Sequence, residues 1–201
     1  MNEATVRAAV EARAVVDAHD RDTRIVHELA LCQAEARVDV AAVNGRLVGW
    51  EIKTRADTLT RLPRQQDVYS RVFDRVWLVA DDRHIEPALA MIPSWWGVMR
   101  IRDQAGACRL TLVRPSRLNR SVDVHSLVRL LWRAEALAEL EALGLATGLG
   151  RSPRRVVWER LAYAVPKHIS RARLQERVRE RLIDRDGWRV DRRRTSGDGS
   201  S

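Results

Sequence analysis

Two runs rich in β-branched residues, Arg37 to Val43 and Arg46 to Lys53, meet at Asn44-Gly45, and this junction constrains the chain more than any other feature. Asn-Gly between alternating strands is a strong hairpin signal, because both residues tolerate the positive φ of tight turns. Loop length then decides which side chains share a face. A two-residue loop pairs Val43 with Arg46 and sets Asp39 opposite Trp50, on the side of the sheet away from Glu51. A three-residue loop, Val43-Asn44-Gly45 with a bulge at Gly45, pairs Ala42 with Arg46 and Asp39 with Gly49, so that Asp39, Glu51 and Lys53 project together. An odd-length loop or a compensating bulge is expected, since the chemistry below needs those three groups on one face.

The remaining pattern is that of an α/β chain. Residues Glu3 to Ala34 read as helical, with Ile25, Leu29 and Cys32 at i, i+4 and i+7. Pro63 suits the first turn of a helix reaching Phe73, and Arg75 to Ala80 is an apolar strand. Pro87 opens a short helix, and Val98–Arg102 with Cys108–Val113 form a second hairpin. Beyond Pro115 the apolar period changes from 2 to 3.6. Val124, Leu127, Leu131, Ala134 and Ala138 mark one long helix ending near Gly144. Ser152-Pro153 caps a second helix running to Val165, and a third spans Ser170 to Arg185. The expected organisation is an α/β domain over 1–113, a basic helical region over 114–190 and a disordered tail over 191–201.

Composition sharpens that division. The 201 residues carry a net charge of +9, yet residues 1–113 hold 16 basic and 16 acidic side chains, leaving the whole excess in the C-terminal part. Such asymmetry suggests a polyanion partner for the helical half. No apolar run reaches the roughly 18 residues of a membrane span, and no targeting segment stands at the N-terminus, so a cytoplasmic protein without membrane contact is expected. Cys32 and Cys108 are too far apart for a metal knuckle and read as small buried hydrophobes. The five histidines show no ligand spacing.

The chemistry concentrates in Asp39 and in Glu51-Ile52-Lys53. Hydrolysis of a phosphodiester needs a divalent cation to polarise phosphate and generate hydroxide, and Mg²⁺ takes carboxylate oxygens. Glu51 and Lys53, two apart on a strand, share a face, and an ammonium beside the cation can orient water. Among 36 basic residues only Lys53 and Lys167 are lysine, and one of them falls in this motif.

The order Glu28, Asp39, Glu51-Ile52-Lys53 resembles the PD-(D/E)XK nuclease superfamily. Gln65 and Tyr69, in a Q-x-x-x-Y spacing, resemble the added motif of its RecB-type members. The stretch from Arg37 to Trp95-Trp96-Gly97, and on through Leu130 to Glu135, is similar to a poorly characterised bacterial and phage family of that superfamily. The resemblance implies a helix followed by a mixed sheet, with Asp39 and Glu51 holding Mg²⁺ or Mn²⁺ and the Ile52 carbonyl as a further ligand. It gives Lys53 the water-orienting role and Glu28 an outer or third carboxylate role. Gln65 positions water or phosphate, and Tyr69 supports it. Many members carry a strand between the glutamate helix and the aspartate strand, whereas only ten residues separate Glu28 from Asp39.

Arg61 and Arg64 in the loop after Lys53, Arg151, Arg154 and Arg155 around a helix start, and Arg173, Arg177 and Arg181 along the third helix are candidate contacts to phosphate. The implied function is metal-dependent hydrolysis of DNA in repair, restriction or phage biology, with RNA also open as substrate. Its alternatives are a noncatalytic nucleic-acid-binding or regulatory protein that keeps the fold, or a subunit of a phage-defence complex. A homodimer or a complex with other proteins fits either reading.

Overall fold

The structure is a computed structural model that describes residues 2–18 and 23–185; the expected tail at 191–201 lies outside the described residues. A mixed six-stranded sheet forms the centre, with strands in chain order β1 (Arg24–Leu31), β2 (Ala36–Val43), β3 (Leu47–Lys53), β4 (Arg75–Ala80), β5 (Gly97–Gln104) and β6 (Ala107–Arg114). The first three strands are antiparallel neighbours. Helix α2 (Leu62–Val72) carries the chain from β3 to a parallel β4, and α3 (Asp82–Met91) does the same from β4 to β5. The second hairpin closes on Ala105 and Gly106, both with positive φ, a tighter turn than the expected strand ends at Arg102 and Cys108 suggest.

Helix α1 (Glu3–Ala18) covers one face of the sheet, where Val6, Val10 and Ala14 meet Val40, Ala42, Trp50, Ile52 and Trp77. The opposite face packs on α2, α3 and the C-terminal helices α4 (Val124–Val128), α5 (Arg133–Ala142), α6 (Arg154–Tyr163) and α7 (Arg171–Asp184). This apolar cluster runs unbroken from Leu31 and Phe73 into Leu140 of α5, Leu161 of α6 and Val178 of α7. The composition boundary at 113/114 therefore marks the end of β6 and not a gap in the core. Buried Asp74 ties the two parts: it accepts from Leu47 N–H at 2.7 Å and pairs with Arg179 at 3.3 Å.

Four local readings are corrected. The helix expected to reach Ala34 ends at Ala18, and Arg24–Leu31 is a strand. Its apolar residues mimic a helix because the pleat slips: Val26 and Leu29, three apart, enter the same core, as do Val38 and Ala41 on β2. The slip falls at Glu28 and Asp39, which face one another in the β1–β2 register, and Glu28 takes φ +51°. Irregularities of this kind re-aim side chains. Pro87 lies inside α3 and does not open it, since Asp81 starts the helix by accepting from Arg83 N–H. The single helix expected from Val124 is broken into α4 and α5. The carbonyls freed at the break are taken by distant donors, Leu130 O by Arg185 at 2.8 Å and Leu131 O by Trp158 Nε1 at 3.0 Å. Helix α6 is capped at Pro153 without a side-chain bond, so Ser152 is not its N-cap, and it ends at Tyr163.

Candidate metal and phosphate site

The hairpin settles the face question. Val43 pairs with Leu47 and Val40 with Trp50, so the loop is the three residues Asn44, Gly45 and Arg46. The loop is odd, as expected, but shifted by one residue, and Gly45 does not take the left-handed bulge conformation. Asn44 instead holds the turn, its side-chain oxygen accepting from Arg46 N–H at 2.9 Å. Continuing the register sets Asp39 opposite Glu51, in place of the Gly49 pairing expected from sequence.

Glu51 and Lys53 are almost wholly buried, at 1% and 4% exposure, on the face covered by α2. The Lys53 ammonium donates to Glu51 Oε1 at 2.7 Å, as does Gln65 Nε2 at 2.6 Å. Tyr69 Oη lies 2.6 Å from Glu51 Oε2 and 2.7 Å from the Arg37 carbonyl. The i, i+4 spacing of Gln65 and Tyr69 on α2 thus brings both onto one carboxylate. Burial, and next the charge of Glu51, push the Tyr69 hydroxyl far above its ordinary range, so it remains a donor. Trp96, buried, stacks on Tyr69 at 5.8 Å and supports it from behind, giving the Trp95-Trp96-Gly97 run a packing role.

Asp39 is held differently. Its Oδ2 accepts from Ile52 N–H at 2.7 Å, while Oδ1 has the Arg7 guanidinium 3.9 Å away. Burial, and next the negative charge of Glu51, raise its pKa to about 7. Asp39 and Glu51 set two carboxylates beside one ammonium and one guanidinium, a donor set that would suit a cation. All the donors are oxygen, which matches Mg²⁺ or Mn²⁺ and no softer metal. Among the described residues no group of three or more His, Cys, Asp or Glu converges on a metal. A cation here would rest on Asp39, Glu51 and the Ile52 carbonyl, with water or substrate oxygen completing its shell, as is usual for Mg²⁺.

Glu28 joins this site from an unexpected place. It is exposed and, in place of the helix expected over Glu3 to Ala34, it stands on the strand next to Asp39. It accepts from Arg7 at 3.0 Å, and Arg7 also donates to Glu3 at 2.6 Å and to the Asp39 carbonyl at 2.8 Å. Sequence reasoning misses Glu3 and Arg7 of α1. Their i, i+4 spacing beside the buried Val6–Val10–Ala14 stripe is the signal that a correct end for α1 exposes. Together these groups border an open cleft of about 470 Å³, with Arg37, Arg61 and Arg64 on its rim.

The other expected phosphate contacts divide. Arg177 and Arg181 close on buried Glu139, at 2.9 and 2.6 Å, and so pack α7 on α5 rather than facing outward unpaired. Against burial, which raises it, the hydrogen bonds from both arginines hold the Glu139 carboxyl below its ordinary value. Arg173 pairs with Glu176, and Arg155 with Glu159. Arg154 lies over the Trp158 ring at 4.6 Å, and Arg151 is exposed. Cys32 is buried and Cys108 half-buried, both as free thiols. Among the described residues no helix is long and apolar enough to cross a membrane.

Over residues 1–194 the chain matches the family described as bacteriophage P4 protein cII. It is 27% identical over 112 residues to "Protein cII" of Enterobacteria phage P4, a match covering 54% of this chain and 42% of that protein's length. No solved structure matches.

Proposed function

We propose that this chain, which belongs to the bacteriophage P4 protein cII family, is a metal-dependent nuclease of the PD-(D/E)XK type, a reading carried by its cleft and its motifs and not by the family match. The observation that carries the reading is the facing of Asp39 and Glu51 across β2 and β3 with Lys53 on the Glu51 side. The order of a helix, three antiparallel strands, a crossover helix and a parallel strand agrees with the fold implied by the motifs. Glu28 lies on β1, between α1 and β2, and not on the helix that the resemblance implies for it.

Asp39, Glu51 and the Ile52 carbonyl would hold Mg²⁺ or Mn²⁺, which when bound polarises the scissile phosphate and acidifies water. The protein's own groups do the rest. Lys53 spends one of its three donors on Glu51, and the remaining two orient the attacking water or a nonbridging phosphate oxygen. Gln65 and Tyr69 fix the Glu51 carboxylate, so its orientation does not depend on the cation. Arg37, Arg61 and Arg64 would grip flanking phosphates. Water adds to phosphorus, the bond to the 3′ oxygen breaks, and the product carries a 5′-phosphate. DNA is the expected substrate.

The test is incubation of the purified chain with DNA and Mn²⁺ beside Lys53→Ala and Asp39→Ala. The expected outcome is cleavage that falls by about 10²-fold or more in each variant. Cleavage indifferent to both substitutions overturns the site. Binding without cleavage would favour a regulatory protein working through its arginines.

A further inference from the structure

Arg129, Arg160 and Lys167, three of the unpaired cations of the helical half, flank in sequence the two residues of one exposed aromatic contact. Tyr163, at the end of α6, is 71% exposed, the most exposed of the large hydrophobic side chains described, and meets His125 of α4 edge-on at 5.5 Å. Arg129 stands one turn beyond His125, at the end of α4, and Arg160 and Lys167 lie three residues before and four after Tyr163. All three are exposed, and none forms an ion pair or side-chain hydrogen bond among the described residues. This contrasts with Arg177, Arg179 and Arg181, whose charge is spent on Glu139 and Asp74.

An exposed Tyr in edge contact with a His, with Arg160 and Lys167 near it along the chain and Glu159 of the same helix already paired with Arg155, is suited to a base stacked on a ring with its phosphates on the cations. A duplex keeps its bases stacked inside and presents no such face, so the fit is to a single strand. The surface is also fastened to the cleft. Asp123 N–H at the start of α4 donates to the Arg71 carbonyl at 2.8 Å, and the Arg71 guanidinium pairs at 2.8 Å with Glu35, which borders the cleft.

We propose that Tyr163, with His125, Arg129, Arg160 and Lys167, forms a binding surface for single-stranded nucleic acid that extends the cleft of the proposed nuclease. As a statement about substrate class it rests on the nuclease reading, but binding can be measured without cleavage.

The experiment is fluorescence anisotropy with labelled oligo-dT and a duplex of equal length, in EDTA, using the full chain. Tyr163→Ala should weaken oligo-dT binding roughly tenfold, Tyr163→Trp should restore it, and duplex binding should not move. Arg129→Ala should lower the salt dependence of log affinity by about 0.7. Absence of oligo-dT binding, or equal binding by Tyr163→Ala, overturns the proposal. Tyr163-dependent binding in a chain that never cleaves with Mn²⁺ sustains this surface and overturns the nuclease. Cleavage with binding indifferent to Tyr163 does the reverse.

Discussion

The two halves of the molecule invert the impression their net charges give. Residues 114–201 hold all of the excess positive charge, yet Arg177 and Arg181 are closed on Glu139, Arg185 on Glu135 and Arg179 on Asp74. The neutral half keeps an imbalance: Asp39 faces Glu51 with Lys53 as the near cation and Arg7 3.9 Å from the aspartate. Counting charges along a segment thus says where ions are abundant, and only pairing says where they are available. Among the described residues of the helical half, Arg177, Arg179, Arg181 and Arg185 are spent on the fold; in the sheet half a few groups are left for chemistry.

The comparison breaks most visibly at the cleft. Lys53→Ala and Asp39→Ala are each expected to cut Mn²⁺-dependent cleavage by about 10²-fold or more; Lys53→Ala, which strands the buried Glu51 carboxylate, also lowers the urea midpoint of unfolding, whereas Asp39→Ala leaves it close to the wild-type value. A loss of stability in Asp39→Ala as large as that in Lys53→Ala would mean that Asp39 holds the fold instead. Glu139→Ala should behave oppositely. It strands Arg181 and leaves Arg177 only Glu180, and should cost about 2–3 kcal/mol, less than a wholly buried pair because both guanidinia are a quarter to a third exposed. Urea denaturation checks this, with single-turnover cleavage unchanged below the transition.

A smaller effect follows from pH. Asp39 titrates at about 7 in the folded chain against 3.8 as its ordinary value, so the folded state binds the extra proton between those limits. Stability is then highest at the acid end of that window and falls as pH rises through it, by at most about 1.4 kcal/mol per unit. Asp39→Asn should flatten this component of the profile, and saturating Mg²⁺ should offset the fall near pH 7 and above. A thermal-unfolding series from pH 5 to 8 shows which holds; identical slopes in wild type and variant would remove Asp39 as the source. Smallest of all, Arg64→Ala on the cleft rim should weaken substrate binding several-fold, about 1 kcal/mol, and reduce its salt dependence without changing single-turnover rate at saturation.

How much of this is legible in the sequence follows from how local each signal is. The odd loop between β2 and β3, the crossover helix behind Pro63, β4 and α7 are written in neighbouring residues, and the Asp39, Glu51, Lys53, Gln65 and Tyr69 group comes from them. The turn's position by residue is not, because Asn44 holds it by a side-chain bond that needs no positive φ at Gly45. The strand containing Glu28 is hidden, since a slip of the pleat gives Val26 and Leu29 the spacing of a helix. With the end of α1 misjudged, Glu3 and Arg7 have no place in the site. The break between α4 and α5 depends on Arg185 and Trp158, donors remote in the chain. An arginine stripe reads alike whether it meets water or another helix. Glu135 and Glu139, four apart on α5, are the available hint that α7 has a partner.

The central claim, that the neutral half holds a cation between β2 and β3, is tested most directly by calorimetric titration of Mn²⁺ into the wild type, Asp39→Asn, Glu51→Gln and Arg181→Ala. Binding in the wild type and in Arg181→Ala, weakened by about tenfold or more in each carboxylate variant, is the predicted result. A wild type that binds no Mn²⁺, or binding that ignores Asp39 and Glu51, would contradict it.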